Sequence, residues 1–174
     1  MEASDLEADR ASEPSWCRPA RDFVSGGGFR QSVAVVASIY GDVVQAEDAV
    51  AEAMTRACER EAAGEPIRDW RAWVIRVALN HSASLARRLA RARRSRHLVA
   101  RPDAWVAEGV DDAQDTLAAL RELPVGQRTS IVLHYYADMP VAEIADVLGT
   151  SVSAVKSSLH KGRANLAKRL ERVG

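Results

Sequence analysis

The sequence predicts an all-α protein: two small helical domains joined by a flexible linker, the second ending in a helix-turn-helix. Three observations point that way. Apolar residues recur at three- and four-residue spacing through the long segments, and no stretch alternates with the period of two that marks a strand. Hydrophobic residues make up 47% of the 174-residue chain but aromatics only 5%, with Ala, Leu, Arg and Glu plentiful, which suits helices better than a sandwich or barrel. Between the two periodic regions lies a stretch with Pro102, Gly109 and several acids but no apolar period. The expected division is an unstructured segment 1–27, a domain 28–96, a linker 97–113 and a domain 114–174.

Each element has its own signals. Residues 1–27 are small and polar, with Pro14, Pro19 and the start of the glycine run 26–28, and read as disordered. A helix from Phe29 to Tyr40 places Val33, Val36 and Tyr40 on one face, and Gly41-Asp42 makes the turn. A second helix, Val43 to Glu61, turns Val44, Ala46, Ala49, Val50, Ala53, Met54 and Ala57 towards a core and leaves Glu47, Asp48, Glu52 and Glu59 outside. A loop through Gly64 and Pro66 leads to a third helix from about Arg68, with Trp70, Trp73, Val74, Val77, Ala78 and Leu85 at helical spacing, running into an Arg-rich stretch. Trp73 lies on the apolar face and reads as core. Within the linker, Trp105 is a candidate to dock on a neighbouring surface. The second domain reads as helices Asp115–Leu123, Val125–Ala137, Val141–Leu148 and Val152–Leu170.

The net charge of zero hides alternating blocks. Residues 1–67 sum to −7, 68–101 to +9, 102–150 to −7 and 151–174 to +5. Single blocks of this kind are ordinary solvated surface, but two basic blocks on helices suit a polyanion. The strongest local signal is PVAEIADVLGTSVSAVKSSLHKGRANLAKRL, Pro140 to Leu170. Ile144, Ala145 and Leu148 form an inner face, Gly149 supplies a turn at positive φ, and Ser151 caps the next helix. Val152, Val155 and Leu159 face back. Ser153, Ala154, Lys156, Ser157, His160, Lys161 and Arg163 are left outward, small and basic enough for a DNA major groove.

The two halves together carry a family likeness. YGDVVQAEDAVAEAMTRACER followed by DWRAWVIRVALNHSASLARR resembles domain two of the extracytoplasmic-function (ECF) sigma factors, and LRELPVGQRTSIVLHYYADMPVAEIADVLGTSVSAVKSSLHKGRANL resembles domain four of the same family, in the family's order and spacing. The resemblance implies a promoter-recognition subunit of bacterial RNA polymerase. By that likeness Gln45, Asp48, Glu52 and Arg56 would dock on the β′ clamp. Arg76, Asn80, His81, Ser84, Arg87 and Arg88, with the loop before them, would bind the −10 element and an extruded base. Ser153, Lys156, Ser157, His160, Lys161 and Arg163 would bind the −35 element, and Arg121, Glu122 and Arg128 would face the β flap. The acidic linker would thread into polymerase channels, and an anti-sigma factor is an implied partner. Three positions depart from the family's pattern: Ala51 stands for its Gln, Ser84 for its frequent Asp and Ser158 for the Arg of its VKSRL stretch.

Other classes fit less well. A stand-alone helix-turn-helix regulator is the alternative, and it predicts tight binding to duplex DNA without polymerase. The four His residues are scattered at 81, 97, 134 and 160, and no Gly-rich phosphate loop after a strand, no HExxH and no Ser-His-Asp arrangement occurs. No catalytic residue, metal or cofactor is expected. The acidic N-terminus lacks the features of a signal peptide, no apolar run reaches membrane-spanning length, and Cys17 and Cys58 show no disulfide framework, so a cytoplasmic location is expected.

Overall fold

Helices α1 (Cys17–Ser25), α2 (Gly28–Tyr40), α3 (Val43–Ala62) and α4 (Trp70–Arg96) form the N-terminal half, and α5 (Asp111–Arg121), α6 (Val125–Ile131), a π-helical turn (Val132–Tyr136), α7 (Val141–Leu148) and α8 (Val152–Leu170) form the rest. These come from a computed structural model that describes residue 14 and residues 17–96 and 111–171. The described residues include no strand and no helix long and apolar enough to cross a membrane. Most of the expected linker, with Trp105 and His97, lies outside them. Residues 111–113, expected as linker, begin α5.

The N-terminal core is built on small side chains. Ala46, Ala49, Val50, Ala53 and Ala57 form the buried stripe of α3, against Val35, Val36 and Ile39 of α2 and Val74, Ile75 and Ala78 of α4. Alanines let the three axes approach closely, and packing compensates for their modest individual burial. Val44, expected in this core, is 69% exposed, because it lies two residues before Ala46 and so on the far side of a 3.6-residue repeat. Asp42 caps α3 by accepting from the Gln45 amide at 2.9 Å, a stabilisation of about 1 kcal/mol.

Residues 17–25, expected to be unstructured, are helical. Pro19 sits in the first turn of α1, where its missing N–H costs nothing. The Phe23 ring lies directly over Gly28, so that a Cβ there would collide with it. Phe23 also meets Trp70 in a tilted ring contact, with centroids 6.0 Å apart. The glycines that looked like a breaker thus form a tight corner with an aromatic lid.

The two halves pack on each other. One continuous core runs from Val33 to Leu159, and α2 touches α5, α6 and the π-helical turn while α4 touches α7. Arg128 bridges them: its Nη1 donates to the Ile39 carbonyl at 2.6 Å and its Nη2 to the Leu123 carbonyl at 3.1 Å. Arg128 therefore turns inward, half-buried, rather than outward to a partner. Capping the end of α2 supplies a donor and a positive charge where a helix lacks the one and favours the other.

Candidate nucleic-acid interface

The helix-turn-helix is positioned from both ends. Gly149 ends α7 with φ of 61°, a conformation in which a Cβ is strained. Ser151 then caps α8 by accepting from the Ala154 amide at 3.1 Å. Ile144, Ala145 and Val147 are buried on α7, and Val155, Leu159 and Gly162 on α8. Val152 is 41% exposed, not packed as expected, since it is the first helical residue and lies short of the Val155–Leu159 stripe. Ser153, Lys156, Ser157, His160, Lys161 and Arg163 are all exposed. Arg163 donates from Nη1 to the Tyr135 hydroxyl at 3.3 Å, which steadies it against the π-helical turn.

Ser158 faces elsewhere. Its hydroxyl donates to the Gly126 carbonyl at 3.0 Å, across the seam between α6 and α8. One turn on, Gly162 lies so close to α6 that an added Cβ would come within 2.9 Å of Ile131 Cδ1 and 3.3 Å of Gln127 Cβ. Asn165 continues the seam, its Nδ2 donating to Gln127 Oε1 at 2.9 Å.

On α4 the structure brings Arg76, Asn80, Ser84, Arg87 and Arg88 to the surface, with His81 half-buried beside them. Positions 76, 80 and 84 follow a four-residue spacing and share a face. Arg87 donates from Nη2 to the Ser84 hydroxyl at 3.0 Å. The preceding loop is held by a residue that the sequence reading missed. Glu61 Oε1 accepts from the Ile67 amide at 2.8 Å and from the Trp70 indole at 3.2 Å, clasping both ends of the turn. Asp69 caps α4 at the Ala72 amide, 2.9 Å away. Trp73 is half-buried against the core, as its place on the apolar face suggested.

Beside this corner is a cleft of about 510 Å³, walled by Ile67, Asp69, Trp73 and Arg76 on one side and by Glu143 and Asp146 of α7 on the other. Burial raises the Glu143 carboxyl, the Asp69 charge adds to that rise, and Arg71 opposes it. Acids of the helix-turn-helix thus border the basic face of α4.

On α3, Gln45 and Asp48 are exposed, and Gln45 Nε2 donates to Asp42 Oδ2. Glu52 and Arg56 form an i,i+4 ion pair at 2.8 Å, each about half exposed. Such a pair is worth only about 0.3–0.5 kcal/mol and leaves both groups open to exchange for another partner. No group of three or more His, Cys, Asp or Glu suited to a metal occurs among the described residues.

A family model described as "Sigma-70, region 4" matches residues 113–166. The ECF RNA polymerase sigma factor SigL of Mycobacterium tuberculosis (strain ATCC 25618 / H37Rv) is 36% identical over 141 residues, spanning 77% of this chain and 79% of that protein. The ECF RNA polymerase sigma factor SigW of Bacillus subtilis (strain 168) is 30% identical over 156 residues, 75% of this chain and 78% of the relative. Among solved structures, CnrH in complex with the cytosolic domain of CnrY superposes with a TM-score of 0.64 at 28% identity, covering 97% of both chains. The sigma factor RpoE, in complex with the anti-sigma factor NepR from Bartonella quintana, gives a TM-score of 0.78 over 89% of this chain and 98% of that one, and at 21% identity it speaks to the fold alone.

Proposed function

The chain belongs to the ECF family of RNA polymerase sigma factors, a family of transcription initiation factors rather than of enzymes, and from that premise we propose that it binds core polymerase and directs it to promoters through separate −10 and −35 readers. The observation that carries this reading is the outward face of α8: Lys156, Ser157, His160, Lys161 and Arg163 all meet solvent, while Val155, Leu159 and Gly162 are buried. A helix so arranged presents cations to phosphates and short polar groups to base edges.

In this reading, residues 28–96 and 114–174 are the two working units. The exposed stripe of Arg76, Asn80 and Ser84, with His81, Arg87 and Arg88 alongside, binds the −10 strand once it has melted. Asn80 supplies an amide that both donates and accepts, as an extruded base requires. The outer face of α3, at Gln45, Asp48, Glu52 and Arg56, docks on the polymerase clamp. Because RpoE and CnrH have been solved with NepR and with CnrY, a comparable inhibitory protein is a natural partner here.

Promoter geometry then demands movement. Elements at −10 and −35 lie roughly 25 base pairs apart, about 85 Å of duplex. A compact chain of this length is only about 40 Å across. The halves must therefore separate on promoter DNA, breaking the Arg128–Ile39 bond and uncovering the cleft that Glu143 and Asp146 border. Runoff transcription with core polymerase and a randomised promoter library tests the reading. Promoter-specific transcripts dependent on both proteins are expected. Tight, sequence-specific duplex binding without core, and no transcript with it, would replace this reading with that of a stand-alone regulator.

A further inference from the structure

Two half-buried thiols lie outside every role assigned above. Cys17 opens α1 and Cys58 lies towards the end of α3. The two helices pack together, and both cysteines line a single groove of about 440 Å³, with Ala20, Arg21 and Val24 of α1 and Met54 of α3 as further walls. Burial pushes the Cys58 thiol up, and the charges of Cys17, Glu59 and Glu61 add to the rise. By helical periodicity Cys58 lies on the side of α3 away from Gln45, Glu52 and Arg56. The chain has no other cysteine.

We propose that Cys17 and Cys58 form a peroxide-sensitive thiol pair that closes into an intramolecular disulfide, stapling α1 to the back of α3. One thiolate attacks hydrogen peroxide, forming an S–O bond as the O–O bond breaks and leaving a sulfenic acid plus water after proton uptake. The second thiolate attacks that sulfenic sulfur, forms the S–S bond and expels hydroxide, which is protonated to water. Two electrons pass from the thiols to the peroxide, and both thiol protons end in water. Disulfides in reducing compartments are characteristically of this transient, sensing kind. The staple joins residues with 40 others between them, a loop long enough for closure to restrict the unfolded chain substantially. It also holds Phe23 against Trp70, at the start of the helix that carries Arg76 and Asn80.

The test uses the full chain, reduced and then treated with hydrogen peroxide. The expected product is a monomer lighter by two hydrogens, with neither thiol open to alkylation and with a Cys17–Cys58 cross-linked peptide on digestion. Its Tm should rise by several degrees and return to the starting value with dithiothreitol. Oxidation should run faster at about pH 8.5 than at about pH 7, because the thiolate is the nucleophile and burial keeps Cys58 protonated. Cys17→Ser and Cys58→Ser should each abolish the cross-link and the Tm rise. If a serine variant fails to fold, the mass and peptide map of the unaltered chain still decide. Thiols that remain open to alkylation, sulfinic acids, or covalent dimers without the intramolecular peptide would overturn the proposal.

Discussion

Removing the Arg128 guanidinium should cost this protein about 2–3 kcal/mol. Arg128 makes two hydrogen bonds, at 2.6 Å to the Ile39 carbonyl and at 3.1 Å to the Leu123 carbonyl. Bonds with a charged partner net about 1.5–3 kcal/mol each, so the pair gives roughly 3–6 kcal/mol before deductions. Burial lowers the Arg128 pKa, the charge of Arg121 lowers it further, and Tyr40 opposes both. Nε is buried without a hydrogen-bond partner, a penalty of about 1–3 kcal/mol that the substitution relieves. Arg128→Met keeps most of the apolar stem and removes the bonds; Arg128→Lys retains one cation and should recover part of the loss. Urea unfolding followed by circular dichroism and by tryptophan fluorescence measures it, since Trp70 and Trp73 report on the N-terminal half and no tryptophan follows Trp105. In Arg128→Met the two transitions should separate as the halves uncouple. A loss below about 0.5 kcal/mol with coincident transitions would refute the assignment of Arg128 as the bridge.

Other outcomes follow from the same geometry. Asn80→Ala should slow open-complex formation on duplex promoters by about 1–3 kcal/mol while sparing premelted templates; equal losses on both would indicate a folding defect. Charge reversal at Asp48 and Glu52 together should weaken core-polymerase binding several-fold at moderate salt without lowering Tm, and unchanged affinity would move the interface off α3. The raised Glu143 pKa makes the folded carboxyl easier to protonate than the unfolded one. Its contribution is therefore favourable at acid pH and lost as pH rises from about 4.3 through its folded value. Glu143→Gln should raise Tm at about pH 7 and leave it unchanged at about pH 3; a lower Tm at neutral pH would contradict this. Lys161→Ala should weaken all −35 sequences alike and reduce the salt slope by about one unit, whereas His160→Ala should shift base preference with the slope intact. Affinity against salt on single-base promoter variants separates the two, and the reverse pattern would sink the assignment.

The helices with chemical punctuation were the legible ones. Gly149 and Ser151 bracket the turn between α7 and α8, and the predicted bounds Val141–Leu148 and Val152–Leu170 match those observed. Helix α1 is hidden in the sequence because Pro19 and the glycine run have the look of breakers. A proline in a first turn breaks nothing, and Gly28 is needed as a platform for Phe23, a contact that no local pattern encodes. Val44 is apolar yet faces outward on α3, and Val152, though in register with Val155 and Leu159, is the first residue of α8 and stays 41% exposed. The docking of one half on the other was equally invisible. Arg128 looks like a surface cation in the sequence and becomes a bridge only when the end of α2 arrives beside it.

The candidate reading faces were legible by subtraction, since residues left over once a helix has filled its core must meet solvent. What aims those faces was not. Glu61 holds the loop before α4 through two donors six and nine residues ahead, a spacing without helical or strand meaning. Ser158 shows the same limit from the other side. Measured against the family's pattern, it is an arginine lost and a phosphate contact missing. In the fold it is one of three inward residues, with Gly162 and Asn165, that let α8 lie close along α6. An arginine contributes reach, whereas a serine bonded to the Gly126 carbonyl contributes a fixed angle. The outward residues Lys156, Ser157, His160 and Lys161 share the same rigid helix, so an angle fixed on the inner side fixes all four together. Any specificity read by α8 therefore depends on that seam as much as on the side chains facing out.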